Sequence, residues 1–216
     1  MDILSREQFE SALIARHGLE IHKKLRAAVV AVAGLGGLGS NVAVALARIG
    51  IGKLILADFD VVDPSNLNRQ QYFVDQLGKP KTAALKENLM RINPYTEYKT
   101  FNVRITPENI VELFGGIHII AECFDRADQK QMIVENVLTK LPDSVIFSAS
   151  GMAGFGNSNA IKTRRINDRL IMVGDLVTGA SPQNGLMAPR VALTAAHQAN
   201  AIVEYIITGK VNTEVQ

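Results

Sequence analysis

Four kinds of residue in this chain are spaced for handling phosphate. A glycine turn, Gly34-Leu35-Gly36-Gly37-Leu38-Gly39, ends the apolar run at 27–33. Gly34, Gly36, Gly37 and Gly39 let the backbone approach a phosphate closely, and a helix starting there aims its free N–H groups at the anion. Asp58 closes the next apolar run and follows the last glycine by about 20 residues, the separation at which an acid accepts hydrogen bonds from ribose hydroxyls. Asp60 points the same way on an extended chain, in a supporting position. Arg69 and Lys81 flank a short polar segment punctuated by Gly78 and Pro80. Their charges would offset a triphosphate and stabilise a phosphoryl transition state, the Arg as a planar fork and the Lys as a point charge. A nicotinamide-dependent dehydrogenase shares the glycines and the acid but needs no such cations. The pattern tilts toward nucleotidyl transfer.

Each of these residues also has a plainer reading. The glycines can form a tight turn that binds nothing, Asp58 can cap that turn, and Arg and Lys are ordinarily solvated surface charges. Asp125 follows the apolar run at 117–122. Ligands bind at strand C-terminal ends in open α/β sheets. A carboxylate there can hold Mg²⁺, cap a helix, or do both. Cys123, the sole cysteine, ends an apolar run and reads as a small hydrophobe. One cysteine makes neither an internal disulfide nor a cysteine-based zinc site. His17, His22, His118 and His197 are scattered without metal-ligand spacing, and no Ser–His–Asp arrangement can be argued.

The elements that must position these residues alternate. Strands are predicted at 27–33, 53–57, 97–103, 117–122 and 144–149, and helices at 38–49, 81–92, 107–114, 126–140 and 188–207. Strands separated by helices imply a parallel sheet covered on both faces. The fold class is α/β, a Rossmann-like, doubly wound, mostly parallel sheet. A helical segment at 1–25 precedes it, and a small mixed β/helix extension at 150–216 follows, with short strands at 160–165 and 170–173. The whole of 1–216 is expected to be a single nucleotide-binding domain.

Composition narrows the function. Apolar residues are 47% of the 216, enough for a sizeable core, and the net charge of +2 gives no basis for bulk nucleic-acid binding. No segment reaches the roughly 18 continuous apolar residues of a membrane span. The N-terminus carries Asp2, Arg6, Glu7 and Glu10 and no apolar stretch, unlike a secretory signal. A cytoplasmic location is expected, with neither membrane nor nucleic acid as partner.

The glycine turn, Asp58-Phe59-Asp60, Asn66-Leu67-Asn68-Arg69-Gln70, Gly78-Lys79-Pro80-Lys81 and Arg91-Ile92-Asn93-Pro94 together resemble the adenylation domain of the ubiquitin-activating-enzyme superfamily. Within it the chain is similar to the ThiF/MoeB/HesA group, and most to a short ThiF-type subgroup linked to thiamine biosynthesis. The resemblance runs from about residue 5 to residue 208. It implies adenylation of the C-terminal glycine of a ubiquitin-like sulfur-carrier protein with a Gly-Gly tail, using ATP and Mg²⁺. It assigns Asn66 to the nucleotide site and Asp125, within Cys-x-Asp, to the metal; Arg126 stands where many members carry Asn. Longer relatives bind zinc through paired cysteines that this chain lacks, so no structural zinc is expected. Such enzymes form homodimers in which an N-terminal arginine, here Arg6 or Arg16, reaches the other subunit's ATP. An attacking carboxylate is already ionised at pH 7 and needs no general base. A tRNA-modifying dehydratase-type relative and a non-catalytic nucleotide-binding scaffold are the alternatives.

Overall fold

The computed structural model describes residues 4–213; Asp2, one of the N-terminal charges noted above, lies outside them. Two helices come first, α1 (Arg6–His17) and α2 (Leu19–Ala27). They are separated at Gly18, whose φ of 84° lies in the left-handed region that suits glycine. β1 (Val29–Ala33), α3 (Gly37–Arg48), β2 (Lys53–Asp58), α4 (Lys81–Ile92) and β3 (Glu97–Asn102) follow. Next come α5 (Ile110–Phe114), β4 (Ile119–Glu122), α6 (Ala127–Lys140) and β5 (Val145–Ala149). β6 (Lys162–Asn167), β7 (Leu170–Gly174) and α7 (Ala188–Thr208) complete the chain.

The strands form one seven-stranded sheet in the order β3-β2-β1-β4-β5-β7-β6, parallel except for the β6–β7 pair. Successive side chains on a strand face opposite ways, and the core divides accordingly. Val30, Val32, Leu54 and Leu56 face α3, α4 and α7. Ala31, Ala33, Ile55 and Ile120 face α5 and α6. Both faces are therefore dry, as a parallel sheet requires. Each fully buried aliphatic side chain stabilises this sandwich by about 1.5–3 kcal/mol.

Several boundaries differ from expectation. The predicted first strand loses its first two residues because α2 continues through Ala27. The helix expected from residue 107 starts at Ile110, because Asn109 Oδ1 accepts the Thr106 N–H at 2.8 Å and holds a turn there. The strand expected from residue 160 starts at Lys162, after a single 3₁₀ turn at Ser158–Ala160. β6 and β7 extend the main sheet rather than forming a separate layer. Among the described residues, no helix is long and apolar enough to cross a membrane.

Helices α1 and α2 meet at a pair of imidazoles. His17 and His22 stack with ring centroids 5.7 Å apart. His17 Nε2 and both nitrogens of His22 are buried without a hydrogen-bond partner. Burial, and then the neighbouring His22, hold the His17 pKa below its ordinary value. As pH falls below about 6.5 the unfolded chain takes up the proton before the folded one, so stability is lost toward acid. The thermal midpoint should drop between pH 7.5 and pH 5.5, and His17→Gln should shrink that drop. Equal drops in the two proteins would exclude this coupling.

Candidate active site

β1, β2 and β4 end side by side, and the direction of winding reverses between β1 and β4. Ligands bind at such a switch point, outside the carboxyl ends of the strands. Here the molecule has a cavity of about 650 Å³. Gly34, Gly36, Gly37, Asp58, Asp60, Asn66, Arg69, Lys81 and Asp125 all line it; Gly39 does not.

The glycine turn is packed on three sides. Gly34 has φ 88°, and a Cβ there would lie 2.9 Å from Phe124 Cδ1 and 3.0 Å from the Cys123 carbonyl oxygen. A Cβ on Gly37 would meet Val191 Cγ1 of α7 at 2.9 Å. At Gly36 the nearest atom to such a Cβ is Gln70 Nε2, at 3.7 Å, an ordinary contact that leaves this position uncrowded. Gly39 serves packing: a Cβ on it would sit 1.8 Å from the Gly34 carbonyl oxygen, so only glycine lets α3 rest on the turn. Gly37 and Leu38, whose first-turn N–H groups have no intrahelical acceptor, line the cavity.

The charged groups are held in different ways. Asp58 is buried, accepting the Leu35 N–H at 2.6 Å on Oδ2 and the Asp60 N–H at 2.8 Å on Oδ1. Desolvation raises its pKa, against the lowering effect of those two N–H groups and of Lys81. It ties the glycine turn to the end of β2 and lines the cavity. Lys81 begins α4 with a side chain only 7% exposed, and its Nζ lies 3.0 Å from Asp60 Oδ2. The Arg69 guanidinium donates through Nη1 to the Ser65 carbonyl and to Asn68 Oδ1, each at 2.8 Å, leaving Nε and Nη2 for a ligand. Asn66 Oδ1 caps its own turn by accepting the Asp63 N–H at 3.1 Å. Its amide NH₂ remains available.

Asp125 is exposed on the cavity wall. It is not the helix cap that the sequence allowed: α6 starts at Ala127 with Arg126 as N-cap, one residue later than such a role requires. Arg126, also on the cavity wall, pairs with Asp128 at 2.8 Å. No described residue hydrogen-bonds the Asp125 carboxylate, and no cluster of three or more potential metal-ligating side chains exists among the described residues. A magnesium ion suits this setting, since it is commonly held by one or two carboxylates plus phosphate oxygens and water.

The support beneath Asp125 was not legible in the sequence. Glu122, fully buried at the end of β4, accepts Lys130 Nζ on both carboxylate oxygens at 3.0 and 3.1 Å. It also accepts the Phe124 N–H at 2.6 Å and the Ser148 hydroxyl at 2.5 Å. These bonds fix the turn that carries Asp125. An acid ending an apolar run was the available signal; its partner eight residues on lies across a loop, outside any helical spacing. Cys123 is buried too, with its thiol pKa pushed up by burial and then by Glu122, which suits packing rather than nucleophilic attack. In α1, Arg6 pairs with Glu10 at 2.9 Å, whereas Arg16 is exposed and makes no contact with a described partner.

The sequence model of the ThiF family matches residues 9–214. An adenylyltransferase and sulfurtransferase of Eremothecium gossypii is 38% identical over 140 residues, covering 64% of this chain and 31% of that protein. The molybdopterin-synthase adenylyltransferase of Haemophilus influenzae is 36% identical over 112 residues, 51% of this chain and 46% of that protein. The matched region thus spans less than half the length of these curated relatives. Among solved structures, the E. coli tRNA N6-threonylcarbamoyladenosine dehydratase in complex with ATP superposes with a TM-score of 0.84. It is 20% identical, and the match covers 96% of this chain and 98% of that one.

Proposed function

The chain belongs to the ThiF family, and from that premise we propose that it is an ATP-dependent adenylyltransferase. The C-terminal glycine carboxylate of a ubiquitin-like sulfur-carrier protein attacks the α-phosphorus of ATP. The bond from that phosphorus to the bridging oxygen breaks, pyrophosphate leaves, and the carrier becomes an acyl-adenylate. The observation that carries this reading is the meeting of the glycine turn, Arg69, Lys81 and an unpartnered Asp125 in a single cavity. The names of the curated relatives support it.

Each group has a role in this reading. Gly36, Gly37 and the first turn of α3 cradle phosphate, Asp58 accepts from the ribose, and Asn66 donates to the nucleotide. Arg69 and Lys81 offset the charge that develops on the leaving pyrophosphate. Asp125 would hold Mg²⁺, whose positive charge would offset that of the phosphates. The attacking carboxylate needs no deprotonation, so positioning and charge dominate the barrier. The likeness to the short ThiF-type subgroup suggests thiamine biosynthesis, in the cytoplasm. A homodimer is part of the proposal: α1 buries none of its own residues, and Arg16 is free to reach a partner. Sedimentation at assay concentration tests the dimer, and a monomer with full activity would remove it.

Activation of a carboxylate carried on tRNA is a second reading. It is raised by the likeness in fold to the E. coli dehydratase. Exchange of labelled pyrophosphate into ATP separates the two. Exchange should require a carrier protein ending in Gly-Gly; exchange that instead requires tRNA would transfer the assignment to the second reading.

A further inference from the structure

Among the described α-helices, only α1 buries none of its own residues. It ends at His17, and α2 carries His22 five positions on. On one continuous helix that spacing would turn the two side chains about 140° apart. The break at Gly18, with φ 84°, sets them against each other instead. Their ring centroids are 5.7 Å apart, with the planes 19° from parallel.

The polar atoms of this pair lack partners. His22 is 4% exposed, and both of its ring nitrogens are buried with no hydrogen bond. His17 Nε2 is buried and unpartnered as well. Burying such a nitrogen costs free energy, and in a native fold it calls for a water or an ion as partner. Three of the five such side-chain atoms among the described residues belong to these two rings, so the deficit is local to this place. No carboxylate meets it. Glu10, whose charge reaches His22, is engaged by Arg6 at 2.9 Å and by Arg26 at 3.4 Å. Two imidazole donors remain, and imidazole nitrogen suits zinc, copper and nickel, where magnesium takes oxygen. α3 also ends here. A Cβ on Gly50, just past its last turn, would lie 2.7 Å from Leu13 Cδ1 and 3.9 Å from His22 Cε1, the ring carbon between the two nitrogens. The carbonyl end of a helix favours a cation.

We propose that His17 and His22 form a two-imidazole site for a divalent transition metal, which ties α1 to α2. Two imidazoles that each place a nitrogen about 2.0–2.1 Å from one ion have centroids about 5–6 Å apart, and the separation here falls in that range. The χ2 torsion of histidine is broad, so either ring can turn toward the ion while both helices stay in place. His17 is only partly buried, which leaves a side from which water completes the coordination. The site contains no cysteine, unlike the zinc site of longer relatives. Neither histidine lines the nucleotide cavity, so the site stands whether or not the adenylation reading does.

Calorimetric titration of the chelator-treated, full-length protein with Zn²⁺, in excess Mg²⁺, reads the site. Wild type should bind one ion per chain. His22 is buried and its replacement disturbs the packing of α2, so His17→Gln carries the comparison, with folding checked by circular dichroism. It should weaken zinc binding by at least the roughly tenfold that loss of an outer-sphere partner costs. His118→Gln should leave binding unchanged. Cu²⁺ in place of Zn²⁺ should give an electron paramagnetic resonance spectrum coupled to two imidazole nitrogens. Zinc at about ten times its Kd should raise the thermal midpoint by roughly 3–6 °C. Hydrogen exchange across α1 should slow at the same time. A wild-type protein that takes up neither Zn²⁺ nor Cu²⁺, or binding that persists undiminished in His17→Gln, would overturn the site. Zinc bound without any slowing of exchange in α1 would overturn the tie between the helices.

Discussion

Lys81→Ala should lower carrier-dependent pyrophosphate exchange by about 10²–10³, the loss that follows removal of one preorganised charge-stabilising group. Two effects add. The variant loses a cation near the phosphates, and it also strands Asp60, whose Oδ2 takes its ion pair from Lys81 at 3.0 Å. That carboxylate would then face a triphosphate as a like charge. Lys81 is held at the start of α4 with 7% of its side chain exposed, so little entropy is spent placing it during the reaction. The fold should survive, because the Asp60 side chain is 48% exposed and water can solvate it once its partner is gone. Circular dichroism and the thermal midpoint check that point. Lys81→Arg should recover part of the rate, since it restores the charge but not its compact shape. Exchange within about threefold of wild type in the Ala variant would contradict the phosphate assignment.

The parts of this site carried by local pattern were legible in the sequence. The glycine turn, Asp58 and Lys81 each adjoin a strand or helix whose apolar periodicity announces it, and the predicted helix at 81–92 coincides with α4. The parts that depend on residues meeting across the fold were not legible. Glu122 and Lys130 look unrelated until β4, its loop and α6 bring them together. Edge strand β6 was displaced by two residues because Lys162-Thr163-Arg164-Arg165 carries no apolar run to mark it; Thr163 pairs with Val173 of β7 instead. Gly39 was grouped with the phosphate-facing glycines by its place in the motif. Its role is close packing of α3, a distinction visible only once the Gly34 carbonyl is placed 1.8 Å from a would-be Cβ.

Asp125→Ala should abolish the magnesium dependence of ATP binding and lower exchange by about 10²–10³, comparable to the loss of Lys81. The argument starts from what Asp125 does not do. It caps no helix, and no described residue hydrogen-bonds its carboxylate. A carboxylate with no structural partner can be removed at little cost to stability, within roughly 0.5 kcal/mol for an exposed site. Its surroundings are rigid nonetheless, because buried Glu122 fixes the preceding turn through the Phe124 N–H at 2.6 Å. A free but well-placed carboxylate is what a magnesium ion shared with phosphate oxygens requires. Calorimetric titration of ATP with and without Mg²⁺ reads this directly. Wild type should bind ATP more tightly when the metal is present, and Asp125→Ala should bind equally with or without it. Asp125→Asn keeps the shape and loses the charge, so it should follow the Ala variant. If Asp125→Ala retained the full metal-dependent gain in affinity, the ion would have to be held elsewhere, and Asp125 would lose its assigned role. If affinity and thermal midpoint fell together, the carboxylate would be structural after all, against its lack of hydrogen-bond partners in the described structure.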